Sequence, residues 1–326
     1  MHTTEFSIVV LIPICDDWDS VQLLLRDLDT VFRDAGVFPD VLLVDDGSTL
    51  PMPASLSSAS FSGIRHLDVL ELRRNVGHQR AIAVGLAFVH SSRQCDAVVV
   101  MDGDGEDKPS DVPLLLERFH REHTLKIVFA ERIRRSEGLT FRLFYRLYRV
   151  LHKLLTGFAV RVGNFSILPY RALDTLVVVS ELWNHYAAAV FKSRLPYTTL
   201  HTERGTRLAG QPHMHFASLV IHGLSALSVY GDVIGVRMLV VATALALLSA
   251  LGISLSVVTR LATPLAIPGW ATYTVGILFV ILLQVMLVSL LFVFSILASR
   301  AGLTFVPLRD YHLFVKRVVP VSPPER

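Results

Sequence analysis

Cysteine is scarce in this chain of 326 residues, which has two, Cys15 and Cys95. Each stands in or beside an apolar run, and neither belongs to a C-x-x-C or Cys/His spacing. That excludes a disulfide framework and a thiolate zinc site, and it fits buried thiols in a reducing compartment. Charge is scarce as well. Asp, Glu, Lys and Arg make up 18% of the residues against 52% hydrophobic ones, and the mean hydropathy is +0.50. Ordinary soluble enzymes carry more charge than this. The deficit is local: between residues 238 and 298 only Arg260 is charged. No internal repeat is present. The N-terminus has neither the basic start nor the apolar core of a signal peptide, so the front of the chain is expected to stay in the cytoplasm.

What is present divides the chain in two. From Met1 to about Arg237 charged and apolar stretches alternate, as in an α/β domain. The run 6–14 (FSIVVLIPI) is short and β-branched and reads as a buried strand of a parallel sheet. Residues 19–35 carry Val21, Leu24, Leu25, Leu28, Val31 and Phe32 at helical spacing. Further strands are predicted at 41–44, 67–72, 97–101 and 126–130, and helices at 79–90 and 113–122. The serine-rich stretch 55–62 reads as a loop. Strands alternating with helices predict a doubly wound sheet, and such sheets bind ligands beyond the carboxyl ends of their strands. Two acidic clusters fall at such ends: Asp45-Asp46-Gly47-Ser48, and Asp102-Gly103-Asp104 followed by Glu106 and Asp107.

The second half reads as membrane-associated. Residues 141–155 (FRLFYRLYRVLHKLL) interleave aromatic and basic side chains, the pattern of a helix lying on a bilayer. The basic stretch here runs from Arg132 through Arg142, Arg146 and Arg149 to Arg161, opposed only by Glu137, and suits an anionic partner. Residues 216–229 predict another weakly polar helix. The spans 238–258 and 272–298 are each long enough to cross a bilayer, and the short linker between them makes an antiparallel hairpin. Arg237 precedes the first span and Arg300, Arg309, Lys316 and Arg317 follow the second, so both ends are expected in the cytoplasm. The expected organisation is a catalytic domain over 1–213, a juxtamembrane helix over 214–237, the hairpin over 238–299 and a cytoplasmic tail over 300–326.

Asp102 and Asp104, one residue apart past a strand, can point two carboxylates at one hard cation, Mg²⁺ or Mn²⁺, that neutralises a diphosphate. Asp45 and Asp46 can accept hydrogen bonds from a base or ribose, and the amides of 75–79, at a helix start, can face an anion. Taken together, VVLIPI, LLVDDGST, LRRNVGHQRAIAVGL and VVVMDGDGEDKPSDV resemble glycosyltransferase family 2 in order and spacing. More narrowly they are similar to its polyprenyl-phosphate sugar transferases, and RLAGQPHM at 207–214 is similar to an R-x-x-G-x-S-K motif of the bactoprenol branch.

The resemblance implies a GT-A fold, an α/β Rossmann-like and mostly parallel sheet. It also implies a nucleotide-sugar donor, a polyprenyl-phosphate acceptor, a divalent cation and a place at the cytoplasmic face of a bacterial inner membrane. It puts Pro13, Asp45, Asp46, Gly77, Asp102 and Gly103 on the nucleotide sugar, and Asp102, Asp104 and Glu106 on the metal. Arg142, Arg146 and Arg207 fall on the acceptor phosphate, and Asp104, Arg132 and Glu181 on the catalytic step. No nucleic-acid partner is expected; the resemblance allows a homo-oligomer.

Two departures bear on mechanism. Asn164-Phe165-Ser166 stands where many relatives carry Asp-Phe-Arg, and Pro212-His213 where they carry Ser-Lys. A phosphate acceptor is already ionised near neutral pH and tolerates loss of a carboxylate base. Two alternatives remain open at this point: transfer to a hydroxyl of a lipid-linked glycan with Glu181 as base, and a non-catalytic scaffold on a degenerate transferase fold.

Overall fold

The computed structural model describes residues 6–132, 150, 153–157, 162–210, 223–263, 269–301 and 305–321. It forms two units. One contains Met1–Phe144, Ala159–Val229 and Phe305–Arg326; the other contains Tyr145–Phe158 and Tyr230–Thr304.

The first unit is built on an eight-stranded sheet. Its parallel centre is β1 (Ile8–Ile14), β2 (Asp40–Asp45), β3 (His66–Leu72) and β4 (Ala97–Val100), with β1 between β4 and β2. On one side follow β6 (Ser166–Pro169), antiparallel to β4, then β5 (Ile127–Arg132) and β7 (Tyr197–Thr202). On the other side β8 (Val315–Pro320) pairs antiparallel with β3. Val, Ile and Leu fill the central strands because both faces are covered. Ile8, Val10, Ile12 and Ile14 turn to α1 (Trp18–Ala35) and α4 (Val112–Arg121). Val9 and Leu11 turn to α3 (His78–Ser92), α5 (Tyr170–Leu176) and α6 (Tyr186–Lys192).

Local chemistry sets the ends of these elements. Helix α1 stops at Gly36, whose left-handed backbone (φ 66°) lets its N–H reach the carbonyls of Phe32 and Arg33. Pro13 sits in a central strand at no cost in ladder bonds. The Leu11 carbonyl faces β4 and accepts the Met101 N–H, and the Ile14 carbonyl faces β2 and accepts the Asp46 N–H. Alternation therefore turns Pro13 toward β4, which has already ended at Val100. Residues 55–62, expected as loop, begin in a single helical turn, α2 (Ala54–Ser57).

Residues after 300 are not a free tail: β8 completes the sheet edge. Four of its six side chains are exposed, so no buried-strand pattern marks it. Of the expected surface helix 141–155, residue 150 and residues 153–156 are helical and the rest lies outside the described residues, as does most of 216–229, of which 223–228 are helical.

The second unit holds α7 (Gly231–Ala262) and α8 (Trp270–Ala301), each longer than the predicted span. Both are long and apolar enough to cross a membrane, with mean hydropathies of 2.3 and 3.0. A buried helix of a soluble core would hide its side chains, yet Leu247, Leu261 and Phe294 are 68%, 81% and 59% exposed. The buried residues of α7 are Gly235, Ala242, Ser249 and Ser256, small residues in heptad register that let α8 approach closely. A Cβ on Gly252 would stand 2.9 Å from Leu278 Cδ1.

Candidate active site

The turn after β2 is fixed by its own carboxylates. Asp45 Oδ1 accepts the Ser48 N–H at 2.9 Å. Asp46 is buried and accepts the Val76 and Gly77 N–H groups at 2.7 and 2.8 Å. Two of the amides expected to face a ligand anion, those of Val76 and Gly77, thus serve an internal one. Burial pushes the Asp46 carboxyl pKa up, and these amides and His78 only partly offset it. Gly47 has φ +67°, and a Cβ there would lie 2.5 Å from the Asn75 nitrogen, so only glycine lets the two loops close on each other.

Beyond β4, Gly103 packs against Ile12 and Ile14 and sets Asp102 and Asp104 on a loop at the carboxyl end of the sheet. Asp102 Oδ1 meets His78 Nε2 at 3.1 Å and Asn164 Nδ2 at 3.4 Å. Its backbone N–H donates to Asp107 Oδ2 at 2.9 Å, and buried Asp107 takes Arg132 Nη2 at 2.8 Å on its other oxygen. Asp104 Oδ1 accepts the Glu106 N–H at 2.9 Å, and its Oδ2 faces Arg207 Nη1 at 3.4 Å. Arg207 also pairs with Asp17. Arg204 grips Glu106, with Nε at 2.8 Å from Oε2 and Nη2 at 2.5 Å from Oε1, and Arg132 Nη1 approaches the same carboxylate at 3.7 Å.

The two aspartates of the loop differ electrostatically. Burial opposes ionisation of Asp102, but the charge and hydrogen bond of His78, aided by Arg132 and Asn164, outweigh it and hold the carboxyl well below its ordinary range. For Asp104 burial raises the pKa, and with the negative charges of Asp102 and Glu106 it outweighs the relief from the Glu106 amide and Arg207. Asp107 is raised by burial and by Asp102. Desolvation by the packed loops opposes protonation of His78, whose side chain stays partly exposed, yet Asp102 and the neighbouring aspartates outweigh it and raise its pKa.

Behind the loop lies a polar network. Gln79 Nε2 donates to Asn164 Oδ1 at 3.0 Å, and Gln79 Oε1 accepts the Tyr186 N–H at 2.7 Å. Asn164 Nδ2 lies 3.0 Å from His78 Nε2, and Ser166 Oγ bridges the Asn164 carbonyl and the Tyr186 hydroxyl. Asn164 therefore joins Gln79, His78, Asp102 and Ser166 in one network.

Residues 9–176, just over half the chain, match the family model for Glycosyl transferase family 2. The chain belongs to glycosyl transferase family 2. It is 27% identical over 162 residues to the undecaprenyl-phosphate 4-deoxy-4-formamido-L-arabinose transferase of Klebsiella pneumoniae (strain 342), covering 50% of this chain and 48% of that one. It is 25% identical over 174 residues to the protein of the same description from Salmonella paratyphi B, covering 53% and 51%. The chain spans about half the length of the curated relatives it matches. Among solved structures it is similar to glucosyl-3-phosphoglycerate synthase from Mycobacterium tuberculosis in complex with Mn²⁺, UDP-glucose and phosphoglyceric acid. That match is 16% identical, has a TM-score of 0.49, and covers 71% of this chain and 80% of that one.

The donor set of the aspartate loop fits a hard cation in part. Asp102 Oδ2 takes no hydrogen bond among the described residues, and Asp104 and Asp102 repel each other, so a hard cation between them would relieve the site. Glu106 is already spent on Arg204 and Arg132. Among the described residues no three His, Cys, Asp or Glu side chains gather into a ready-made metal site.

The remaining expected residues scatter. Arg132, at the end of β5, and Arg207 pair with carboxylates of the aspartate loop. Pro13 lies below it: its carbonyl is 3.3 Å from where a Gly103 Cβ would be. Arg142 and Arg146 lie outside the described residues. Glu181 is bound to Lys192 Nζ at 2.8 Å and to Ser180 Oγ at 3.0 Å. Burial would raise its pKa, but Lys192, the Glu181 amide and Ser180 outweigh that and lower it, which makes it a weak base. Asp17 and Arg204 carried no motif signal of their own, and Gln79 was part of the 75–79 run without a role of its own. His78 carried a signal, one position beyond the helix-start glycine, though its partner lies 24 residues along the chain.

Proposed function

We propose that this family 2 enzyme is a membrane-bound inverting glycosyltransferase that moves a sugar from a uridine or guanosine diphosphate sugar to a polyprenyl phosphate. The observation that carries this reading is the Asp102–Asp104 loop at the carboxyl end of the parallel strands, with the Asp45–Asp46 turn beside it on the same sheet end. The undecaprenyl-phosphate substrates in the names of its curated relatives support the acceptor class, and the two apolar helices support delivery from a bilayer.

Asp102 and Asp104 would hold Mg²⁺ or Mn²⁺, which when bound offsets charge on the diphosphate leaving group. The free oxygen of Asp45 and the backbone around Gly77, Pro13 and Gly103 would seat the nucleoside. Asp46 braces that backbone from within. Arg207 leaves Asp104 for the phosphates as the site fills, and Arg132, anchored by Asp107, adds positive charge where the diphosphate departs. Arg142 and Arg146 are assigned to the acceptor phosphate. An acceptor phosphate oxygen forms the bond to the anomeric carbon, and the bond to the diphosphate breaks with its electron pair on the leaving oxygen. The attacking group arrives ionised, so Asn164 in place of a carboxylate costs no base.

The test is transfer by purified protein with Mg²⁺, undecaprenyl phosphate and a panel of labelled nucleotide sugars. Acid-labile labelled lipid is expected, and Asp104→Asn should lower its formation by roughly a hundred-fold or more. Label that appears only on a glycosylated lipid would overturn the acceptor assignment, and absence of both transfer and nucleotide binding would overturn the enzyme reading.

A further inference from the structure

Arg73, Arg74 and Arg80 are exposed and take no carboxylate partner among the described residues. Two of them rest on aromatic rings. Arg74 lies over Phe314, with the guanidinium carbon 5.9 Å from the ring centre, and Arg80 lies over Trp183 at 5.2 Å. The rings form one ledge: Trp183 is 3.8 Å from Phe305 and 5.0 Å from Phe314, and Phe305 is 5.6 Å from Phe314. The Arg73 N–H donates to the Phe314 carbonyl at 2.8 Å, which ties the arginine loop to the ledge. Leu313, next in the chain, is 60% exposed.

An arginine stacked on a ring keeps its head free while its stem is desolvated. Elsewhere on this unit most exposed cations are paired, as Arg317 and Lys316 are with Glu71. A face of unpaired arginines around aromatic rings and an exposed leucine has the composition of a membrane interface. The chain also holds it near one. Phe305 follows the last residue of α8, Ala301, by four residues, a reach of at most about 14 Å.

We propose that Arg73, Arg74 and Arg80, with the Trp183–Phe305–Phe314 ledge and Leu313, form a docking face for anionic phospholipid headgroups. It is separate from the donor and acceptor phosphate residues assigned above, and it rests on the reading of α8 as a membrane span. Its work is orientation: it presses the sheet end next to α3 onto the bilayer, where a lipid substrate arrives.

The chain's three tryptophans allow a direct test. Full-length protein carrying Trp18→Phe and Trp270→Phe, reconstituted in nanodiscs, leaves Trp183 as the only emitter. Its fluorescence should be quenched by lipids brominated near the headgroup, more by phosphatidylglycerol than by phosphatidylcholine. Arg73→Gln, Arg74→Gln and Arg80→Gln together should abolish that excess. A parallel variant retaining only Trp270 reports insertion of the hairpin. Quenching of Trp270 without Trp183 overturns the docking face and leaves the anchor intact, and quenching of neither overturns both. Equal quenching in the two lipids, unchanged by the arginine substitutions, overturns the headgroup assignment. Quenching that requires added undecaprenyl phosphate, rather than phosphatidylglycerol, assigns the face to the acceptor and overturns it equally.

Discussion

Asp102 and Asp104 are the same residue type two positions apart, yet one is held ionised by His78 and the other is pushed toward its neutral form. A cation suits that pair because it lowers both. Glu181 shows the converse: a carboxylate with a plausible place in the chain becomes a structural ion pair once Lys192 is beside it. Glu181→Gln is expected to leave transfer to undecaprenyl phosphate within about three-fold of the parent while costing about 1 kcal/mol of stability, discounted for its partial exposure. Rate measurements and thermal unfolding on the same preparation check this. Gly47→Ala is expected to do the opposite kind of damage. A left-handed residue costs about 1–2 kcal/mol with any side chain, and the added Cβ must push the Asn75 backbone away. Nucleotide affinity, read by calorimetry, should fall along with the melting temperature. The acidic residues were legible because each follows an apolar run that can only be a strand. The Asn164–His78 contact was not: 86 positions separate them, and only the β4–β6 pairing joins their neighbourhoods.

Among the elements, the inner strands and the helices α1, α3 and α4 announced themselves by burial on both faces or on one stripe. Strand β8 did not, because it is an edge strand with one ladder, held in part by charge. Glu71 stands opposite Arg317 in register and bonds it through both carboxylate oxygens at 2.8 Å, with Lys316 at 3.1 Å. The Arg317 hydrogen bond, opposed by burial and aided by Lys316, holds the Glu71 carboxyl below its ordinary value of 4.5. The stabilisation is therefore fully present above the titration of the unfolded carboxyl and is lost as pH falls through the lower folded value. Hydrogen exchange of the β8 amides, corrected for intrinsic rates, should show local opening on acidification below pH 4.5. Glu71→Gln should open β8 already at neutral pH and remove the pH dependence.

At the scale of the whole chain, the pair of apolar helices interrupts the sheet domain rather than following it, since β8 returns to the sheet after α8. With strands of one sheet before and after the pair, spanning helices would have both ends on one side of the bilayer, the arrangement the positive charges also favour. Alkaline phosphatase fused after Thr263 is accordingly expected to be active outside the cell membrane and inactive when fused after Val321, with fluorescent-protein fusions giving the inverse pattern. Activity of both phosphatase fusions would break the two-span arrangement.

The sequence by itself determined the family, the α/β class, the succession of inner strands along the chain, the two long apolar helices and the acidic loop. These follow from local periodicity and from short motifs whose meaning is carried within a few residues. Only the tertiary structure decided which charges are free. Asp46 is turned inward to two amides, Glu106 is bound by Arg204, Glu181 is neutralised by Lys192, and Arg74 and Arg80 are left open on an aromatic ledge. The strength of a carboxylate or guanidinium is set by what lies within about 4 Å of it, and those neighbours come from strands and loops far away in the chain.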